Sequence, residues 1–130
     1  MIRLATTLIG ASLLASPALA TEKDGEDCVR TKVWDAYGDG WHIRTLTSTT
    51  LANGATNSYL VTVYQGNEYK FQACGDDSVK NLDVLLYDLD GNVVHRDQTE
   101  NAQPELSLTP EVTTTYYLVV YARETTGDGG

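Results

Sequence analysis

Hydrophobic and polar residues alternate along most of the chain after Trp41, with the period of two that is typical of β-strands. Segments 58–64 (SYLVTVY) and 68–74 (EYKFQAC) each place three apolar side chains on one face. Only Gln65, Gly66 and Asn67 separate them, and Gly and Asn are common turn residues. The pattern therefore predicts that these two strands form a hairpin.

The later strands follow the same pattern at short, even spacing. Segment 82–88 is apolar on both faces, which is expected of a strand in the centre of a sheet. Asn53-Gly54 is typical of a turn, and residues 124–130 (ETTGDGG) are interpreted as a tail. Seven strands without helices between them predict an all-β protein, an antiparallel β-sandwich of the jelly-roll type. The other predicted strands are 41–51, 105–109, 115–123 and one that begins at Val93-Val94.

A helical spacing of apolar residues precedes the strands. Residues 28–37 predict a short helix that packs on the sandwich. Asp27 is a suitable N-cap for this helix and Gly38 a suitable terminator. The polar stretch 21–27 before it predicts a flexible leader.

The first twenty residues have the features of a bacterial signal peptide. A positive start is followed by the apolar run 4–15, and Ala18 and Ala20 are the small residues of a cleavage site. The run is shorter than the roughly 20 residues that span a bilayer, so a membrane anchor is disfavoured. The sequence predicts cleavage after Ala20 and a secreted or periplasmic protein that is not inserted in the membrane. After cleavage, the predicted chain consists of two regions: residues 21–40, an acidic leader with the short helix, and residues 41–130, the sandwich.

The charge balance limits the partners. The chain has 9 basic and 18 acidic residues, and loss of Arg3 with the signal peptide leaves 8 against 18, a net charge of −10. Such a chain repels nucleic acid and anionic lipid. The charge favours solubility, cation binding or basic partners. The expected ligand is a protein, a peptide or a carbohydrate, and the protein is expected to be a monomer.

Cys28 and Cys74 are the two cysteines of the chain. An even number of cysteines in an exported protein predicts a disulfide. Neither histidine has metal-ligand spacing to a cysteine, and no C-x-x-C motif is present, which disfavours a zinc site.

The run DLDGN, 88–92, is rich in potential calcium ligands. It does not fit an EF-hand loop, because Val93 takes the glycine position if Asp88 is the first ligand, whereas Leu86 becomes the first ligand if Gly91 is placed correctly. The run is interpreted first as a hairpin turn. A turn that also holds calcium is the alternative, and no other cofactor is expected. The candidate calcium ligands are Asp76, Asp77, Asp88 and Asp90.

Three aromatic residues surround the turn before the first strand: Trp34, Tyr37 and Trp41. Their rings could form a platform that stacks on a carbohydrate or docks a peptide. The favoured interpretation is that Trp34 and Trp41 pack the helix against the sandwich. No G-x-S-x-G motif accompanies the serines, which disfavours a hydrolase.

Several motifs together resemble the bacterial pre-peptidase C-terminal domain. They are the strand 57–63, Gly66 with the following Tyr-x-Phe, LDVLLYDLDGNVV, and LTPEVTTTYYLVVYA, and they cover about residues 55–123. Thr114 stands where that family has a glycine, and the last strand of the family is expected to be missing or truncated. The resemblance implies a jelly-roll-like accessory module of secreted peptidases, stabilised by calcium in related collagenase modules. Here we expect a free-standing copy.

The predicted function is that of an exported, non-catalytic binding or structural module without a required cofactor. A calcium-stabilised adhesion or substrate-binding module is the first alternative. A small secreted hydrolase is the second.

Overall fold

A computed structural model describes residues 18–130, with side chains from residue 22 onward, and this part of the chain contains one helix and six strands. The predicted all-β sandwich with an N-terminal helix is confirmed. The prediction of a signal peptide falls mostly on residues 1–17, outside the described residues. Within residues 18–130, no helix has the length and apolar character needed to cross a bilayer. The elements are α1 (Ala18–Gly38), β1 (Thr56–Val63), β2 (Tyr69–Gln72), β3 (Val79–Tyr87), β4 (Val93–Asp97), β5 (Glu105–Leu108) and β6 (Thr114–Thr125).

The strands form two antiparallel sheets of unequal size. The larger sheet has the order β1-β6-β3-β4, and the smaller sheet consists of β2 and β5. As predicted from its apolar sequence, β3 lies inside the larger sheet, between β6 and β4. The turn between β3 and β4 is also confirmed, since the N–H of Asp88 donates to the carbonyl of Asn92 and Gly91 has a φ of 86°.

The hydrophobic core lies where the small sheet covers the large one. Val84 and Leu86 of β3 contact Leu106 of β5. Side chains alternate between the two faces of a strand, so the inner face of the large sheet carries the even-numbered residues of β3 and β6 and the odd-numbered residues of β1. The partly buried residues packed around the core are Phe71, Ala73, Leu108, Tyr116 and Leu118.

The predicted hairpin of segments 58–64 and 68–74 is wrong. The turn itself exists, because the N–H of Asn67 donates to the carbonyl of Tyr64 and Gly66 has a φ of 82°. After this turn the chain crosses to the other layer, where β2 pairs with β5, while β1 pairs with β6. This route places Phe71 and Ala73 over the core instead of beside β1.

The predicted strand 41–51 is also wrong. Residues 41–51 have no strand assignment, and only the neighbouring Ala52 forms a bridge, to Gly129. The segment is rich in Thr and Ser (TLTSTT), so it has few apolar side chains whose burial would hold it in a sheet.

Residues 124–130 are part of the folded structure and not the expected tail. Glu124 and Thr125 complete β6, and Leu51 and Gly130 exchange two backbone hydrogen bonds of 2.7 and 2.9 Å.

The helix is longer than predicted and ends differently. Residues 21–27 are helical and not a flexible leader, and Asp27 is not an N-cap but pairs with Lys23 one turn earlier. The terminator is Gly40, with a φ of 98°, and not Gly38. The N–H of Gly40 donates to the carbonyl of Tyr37 and that of Trp41 to the carbonyl of Ala36, which is the pattern of a Schellman motif.

A buried charge lies on the face of β3 opposite the core. The side chain of Asp83 is 0 % exposed, and its Oδ2 lies 2.7 Å from Nε of Arg123 on β6. The guanidinium of Arg123 also lies 5.7 Å from the ring centre of Tyr121. Neither carboxylate oxygen of Asp83 accepts a hydrogen bond from the described residues, so the Arg123 charge offsets only part of the cost of burying Asp83.

We predict that Leu86→Ala lowers the free energy of unfolding by about 3 kcal/mol, because the substitution removes a fully buried side chain and leaves a cavity. Urea denaturation measures the loss. Leu60→Ala is the matched control, because Leu60 is 65 % exposed on β1, and its effect is expected to stay below about 0.5 kcal/mol. Equal losses for the two variants would contradict the position assigned to the core.

Candidate binding groove

A groove of about 1310 Å³ lies beside the core, where the small sheet does not reach. Its floor is the inner face of the large sheet. One wall comes from α1 and the segment that follows it, and another wall comes from β2 and the residues after it. The apolar floor consists of Tyr59, Val61, Val79, Leu82, Leu118, Val120 and Ala122.

The groove reaches the open edge of β1. This strand is the first of its sheet and pairs only with β6. Two contacts show which backbone groups face away from β6: the carbonyl of Thr62 accepts from Nη1 of Arg44 at 2.6 Å, and the N–H of Ser58 donates to Oδ1 of Asn57 at 3.0 Å. Because N–H and C=O of one residue point to the same side of a strand, Leu60, between them, presents both groups to the open edge.

The opposite wall is a second row of unpaired backbone. Segment 42–50 follows the Schellman motif and precedes the bridge at Ala52. None of its N–H or C=O groups makes a backbone hydrogen bond with the described part of the chain. Most of its residues also line the groove. The groove is therefore bordered by two stretches of backbone that can still form hydrogen bonds.

Side-chain contacts attach segment 42–50, and Trp41 just before it, to the neighbouring elements. Near its start, the Arg44 guanidinium lies 6.0 Å from the ring centre of Tyr69, in addition to its bond to Thr62. Nζ of Lys70 lies 4.6 Å from the ring centre of Trp41, and near the end of the segment Ser48 donates to Glu22 of α1 at 3.1 Å. These contacts attach the segment to β1, to β2 and to α1.

The predicted disulfide is present. Cys28 of α1 is bonded to Cys74, two residues after β2, with a distance of 5.9 Å between their Cα atoms. The helix otherwise contacts β2, so the bond fixes the wall formed by α1 against the wall formed by β2.

The groove is acidic. Two basic side chains line it, Arg44 and Lys70, against five acidic ones, which leaves an excess of three negative charges. Part of this excess is compensated, because Glu26 pairs with Arg30 on the helix. The five acidic residues are Glu22, Glu26, Asp39, Glu68 and Asp76.

The predicted aromatic platform is divided between two places. Trp34 and Tyr37 remain 58 % and 54 % exposed on α1, with their rings edge to face and 5.7 Å between centres. The expected packing of Trp34 against the sandwich is therefore wrong, since a helix buries only one side and Trp34 lies on the other. Trp41 is half-buried, lines the groove and packs under Lys70.

The candidate calcium ligands do not lie together. Asp76 and Asp77 precede β3 and Asp88 and Asp90 follow it, so the two pairs are separated by roughly 30 Å, the length of a nine-residue strand. No group of three or more His, Cys, Asp or Glu within residues 22–130 is placed to hold a metal ion. The Asp88 carboxylate accepts hydrogen bonds from its own turn, at 2.8 Å from the N–H of Asn92 and 3.0 Å from that of Asp90.

No family model matches this chain, and no curated protein matches it.

The turn at Asp88 gives a prediction for the pH dependence. The N–H of Asn92 and the other donors of the turn hold the pKa of Asp88 below its ordinary value of 3.8. A carboxyl group with a lowered pKa stabilises the folded turn at pH values above its ordinary pKa, and the stabilisation is lost as the pH falls through the lowered value. We predict an NMR titration midpoint for Asp88 below 3.8 and loss of the corresponding titration at the Asn92 amide in Asp88→Asn. A midpoint at or above 3.8 would contradict the hydrogen bonding of the turn.

Proposed function

We propose that this protein is a non-catalytic binding module that takes an extended segment of another polypeptide into the groove. The observation that carries the proposal is the open edge of β1 facing a second row of unpaired backbone, segment 42–50. A polypeptide in the β conformation adds to such an edge through its own N–H and C=O groups. Recognition of this kind depends on backbone conformation and is tolerant of sequence.

The apolar floor provides the second element of recognition. In an added strand, alternate side chains point to one face, and here they would lie beside Tyr59 and Val61 of β1 on the inner face of the large sheet. Leu118 and its neighbours are only partly covered by the small sheet. The ligand would therefore be a segment in which apolar and other residues alternate.

The proposed site of action is outside the cytoplasm of a bacterium, secreted or in the periplasm. The signal-peptide pattern of residues 1–20 and the disulfide support this location. The proposed relationship is to the pre-peptidase C-terminal domain, and it is supported by the order of the matching motifs, which now correspond to β1, β2, β3 with its turn, and β6.

Short peptides of alternating threonine and valine test the proposal, with binding measured by fluorescence anisotropy of labelled peptide. We predict saturable binding that is lost when alternate amides of the peptide are N-methylated, because methylation removes donors and leaves the side chains unchanged. In the protein, Thr47→Pro removes one backbone donor from segment 42–50 and is expected to weaken binding about tenfold.

Val112→Pro is the matched control, because Val112 is exposed in the loop before β6, far along the chain from both groove walls. The control is expected to bind like the unmodified protein, and thermal unfolding confirms that both variants are folded. Undiminished binding of the N-methylated peptides would contradict strand addition.

A further inference from the structure

Arg44 closes one end of the open edge of β1. It belongs to segment 42–50, and its guanidinium reaches β1, where Nη1 donates to the carbonyl of Thr62 at 2.6 Å. Just beyond, the N–H of Tyr64 donates to the hydroxyl oxygen of Tyr69 at 2.8 Å, and the ring centre of Tyr69 lies 6.0 Å from the guanidinium. The open edge therefore ends at Thr62, and a strand added to this edge has to end there as well.

Arg44 is exposed and has no negatively charged partner in the described part of the chain. Its guanidinium makes one hydrogen bond there, to Thr62, and no carboxylate of those residues forms an ion pair with it. Lys70, the other basic residue of the groove lining, lies 3.5 Å from Glu105. The remaining donors of Arg44, on Nε and Nη2, lie side by side, an arrangement that binds both oxygens of a carboxylate. Arg44 is therefore suited to a carboxylate from a ligand.

The direction of an added strand decides which of its ends meets Arg44. Strand β1 runs from Thr56 to Val63, so a parallel strand brings its C-terminal end to Thr62 and an antiparallel strand its N-terminal end. A C-terminal carboxylate is attracted by the guanidinium, whereas an α-amino group, protonated at neutral pH, is repelled by it. Arg44 thus favours the parallel direction.

The backbone of β1 can pair with a parallel strand that ends at this point. Leu60 presents its N–H and its C=O to the open edge, Ser58 its C=O and Thr62 its N–H. In a parallel ladder these four groups bond to the N–H and C=O of two ligand residues that lie two positions apart. If the second of these is the last residue of the ligand, its carboxylate can accept from both the N–H of Thr62 and the guanidinium of Arg44.

We propose that the ligand is the C-terminal segment of another polypeptide, which adds parallel to β1 and whose α-carboxylate binds Arg44. The inference rests on the proposed function and adds to it the direction of the ligand strand and the chemical group at its end. The groove lining otherwise has an excess of negative charge, which disfavours a carboxylate at other positions. A side-chain carboxylate has the same chemistry, but its chain would continue past Thr62, where Arg44 and Tyr69 close the edge.

The experiment compares three threonine–valine peptides of equal length by fluorescence anisotropy. One has a free C-terminal carboxylate, one a C-terminal amide, and one a C-terminal amide on a last residue that is glutamate. Arg44→Gln is the test variant, because glutamine can still donate to the carbonyl of Thr62 while the positive charge is lost. Arg96→Gln is the matched control, since it removes the same charge from an exposed residue of β4, at the opposite edge of the large sheet. A circular dichroism melt verifies that both variants are folded.

We expect the free-acid peptide to bind about tenfold more tightly than either amidated peptide. This difference should disappear in Arg44→Gln, persist in Arg96→Gln and decrease with rising salt concentration. Equally tight binding of the glutamate amide would overturn the assignment of the C-terminal carboxylate. If all three peptides bind equally, the inference is wrong and the proposed function stands. If no peptide binds the unmodified protein, both are wrong.

A nitroxide label at the N-terminus of the free-acid peptide tests the direction of the added strand. We expect the label to broaden the amide NMR signals near Thr56 more strongly than those near Val63, because a parallel strand places its N-terminal end beside the start of β1. Stronger broadening near Val63 would contradict the parallel direction.

Discussion

The structure depends on a mismatch between its two sheets. The large sheet has four strands of up to twelve residues, whereas the small sheet has two strands of four residues each. A sheet must bury its hydrophobic face against another layer, and here the second layer covers only the part around Val84 and Leu86. The rest of the inner face has to be covered by α1 and by segment 42–50, which have no strand pairing with it.

This mismatch explains why the protein has both a helix and a groove. Helix α1 has no hydrophobic stripe strong enough to bury itself, and its attachment to the sandwich is covalent, through Cys28 and Cys74. On the loop-entropy account, closing 46 residues stabilises the fold by roughly 4 kcal/mol. The disulfide thus holds α1 against the end of β2, where these two walls of the groove meet.

The parts of the fold that the sequence predicts are those determined by local pattern. Segment 82–88 is apolar on both faces and is the central strand, and the turn at Asp88 to Asn92 follows from its Asp and Gly residues. The pairing of β1 was not predictable in this way, because a short turn at Gly66 favours a hairpin and only the tertiary core decides that β2 crosses to the other layer. The extent of α1 was missed because the acidic stretch 21–27 is stabilised by pairs one turn apart, such as Lys23 with Asp27.

In the candidate site too, some features follow from local residue types and others depend on the tertiary structure. The disulfide and the aromatic cluster could be identified from residue types, although only Trp41 of that cluster lines the groove. The open edge of β1 and the unpaired backbone of segment 42–50 carry no signal in the sequence. Both features result from the order of the strands in the sheets. Alternation of apolar and polar residues shows which face of a strand is buried, but it does not show which strands pair with each other.

Amide hydrogen exchange tests the central claim, that segment 42–50 lies unpaired across a groove from β1. We predict that the 42–50 amides exchange at nearly the rate of an unfolded peptide, while the amides of β3 and β6 are strongly protected. The same slow exchange in segment 42–50 as in those strands would contradict the account. It would mean that the segment forms a seventh strand against β1 and that the groove is filled by the protein itself.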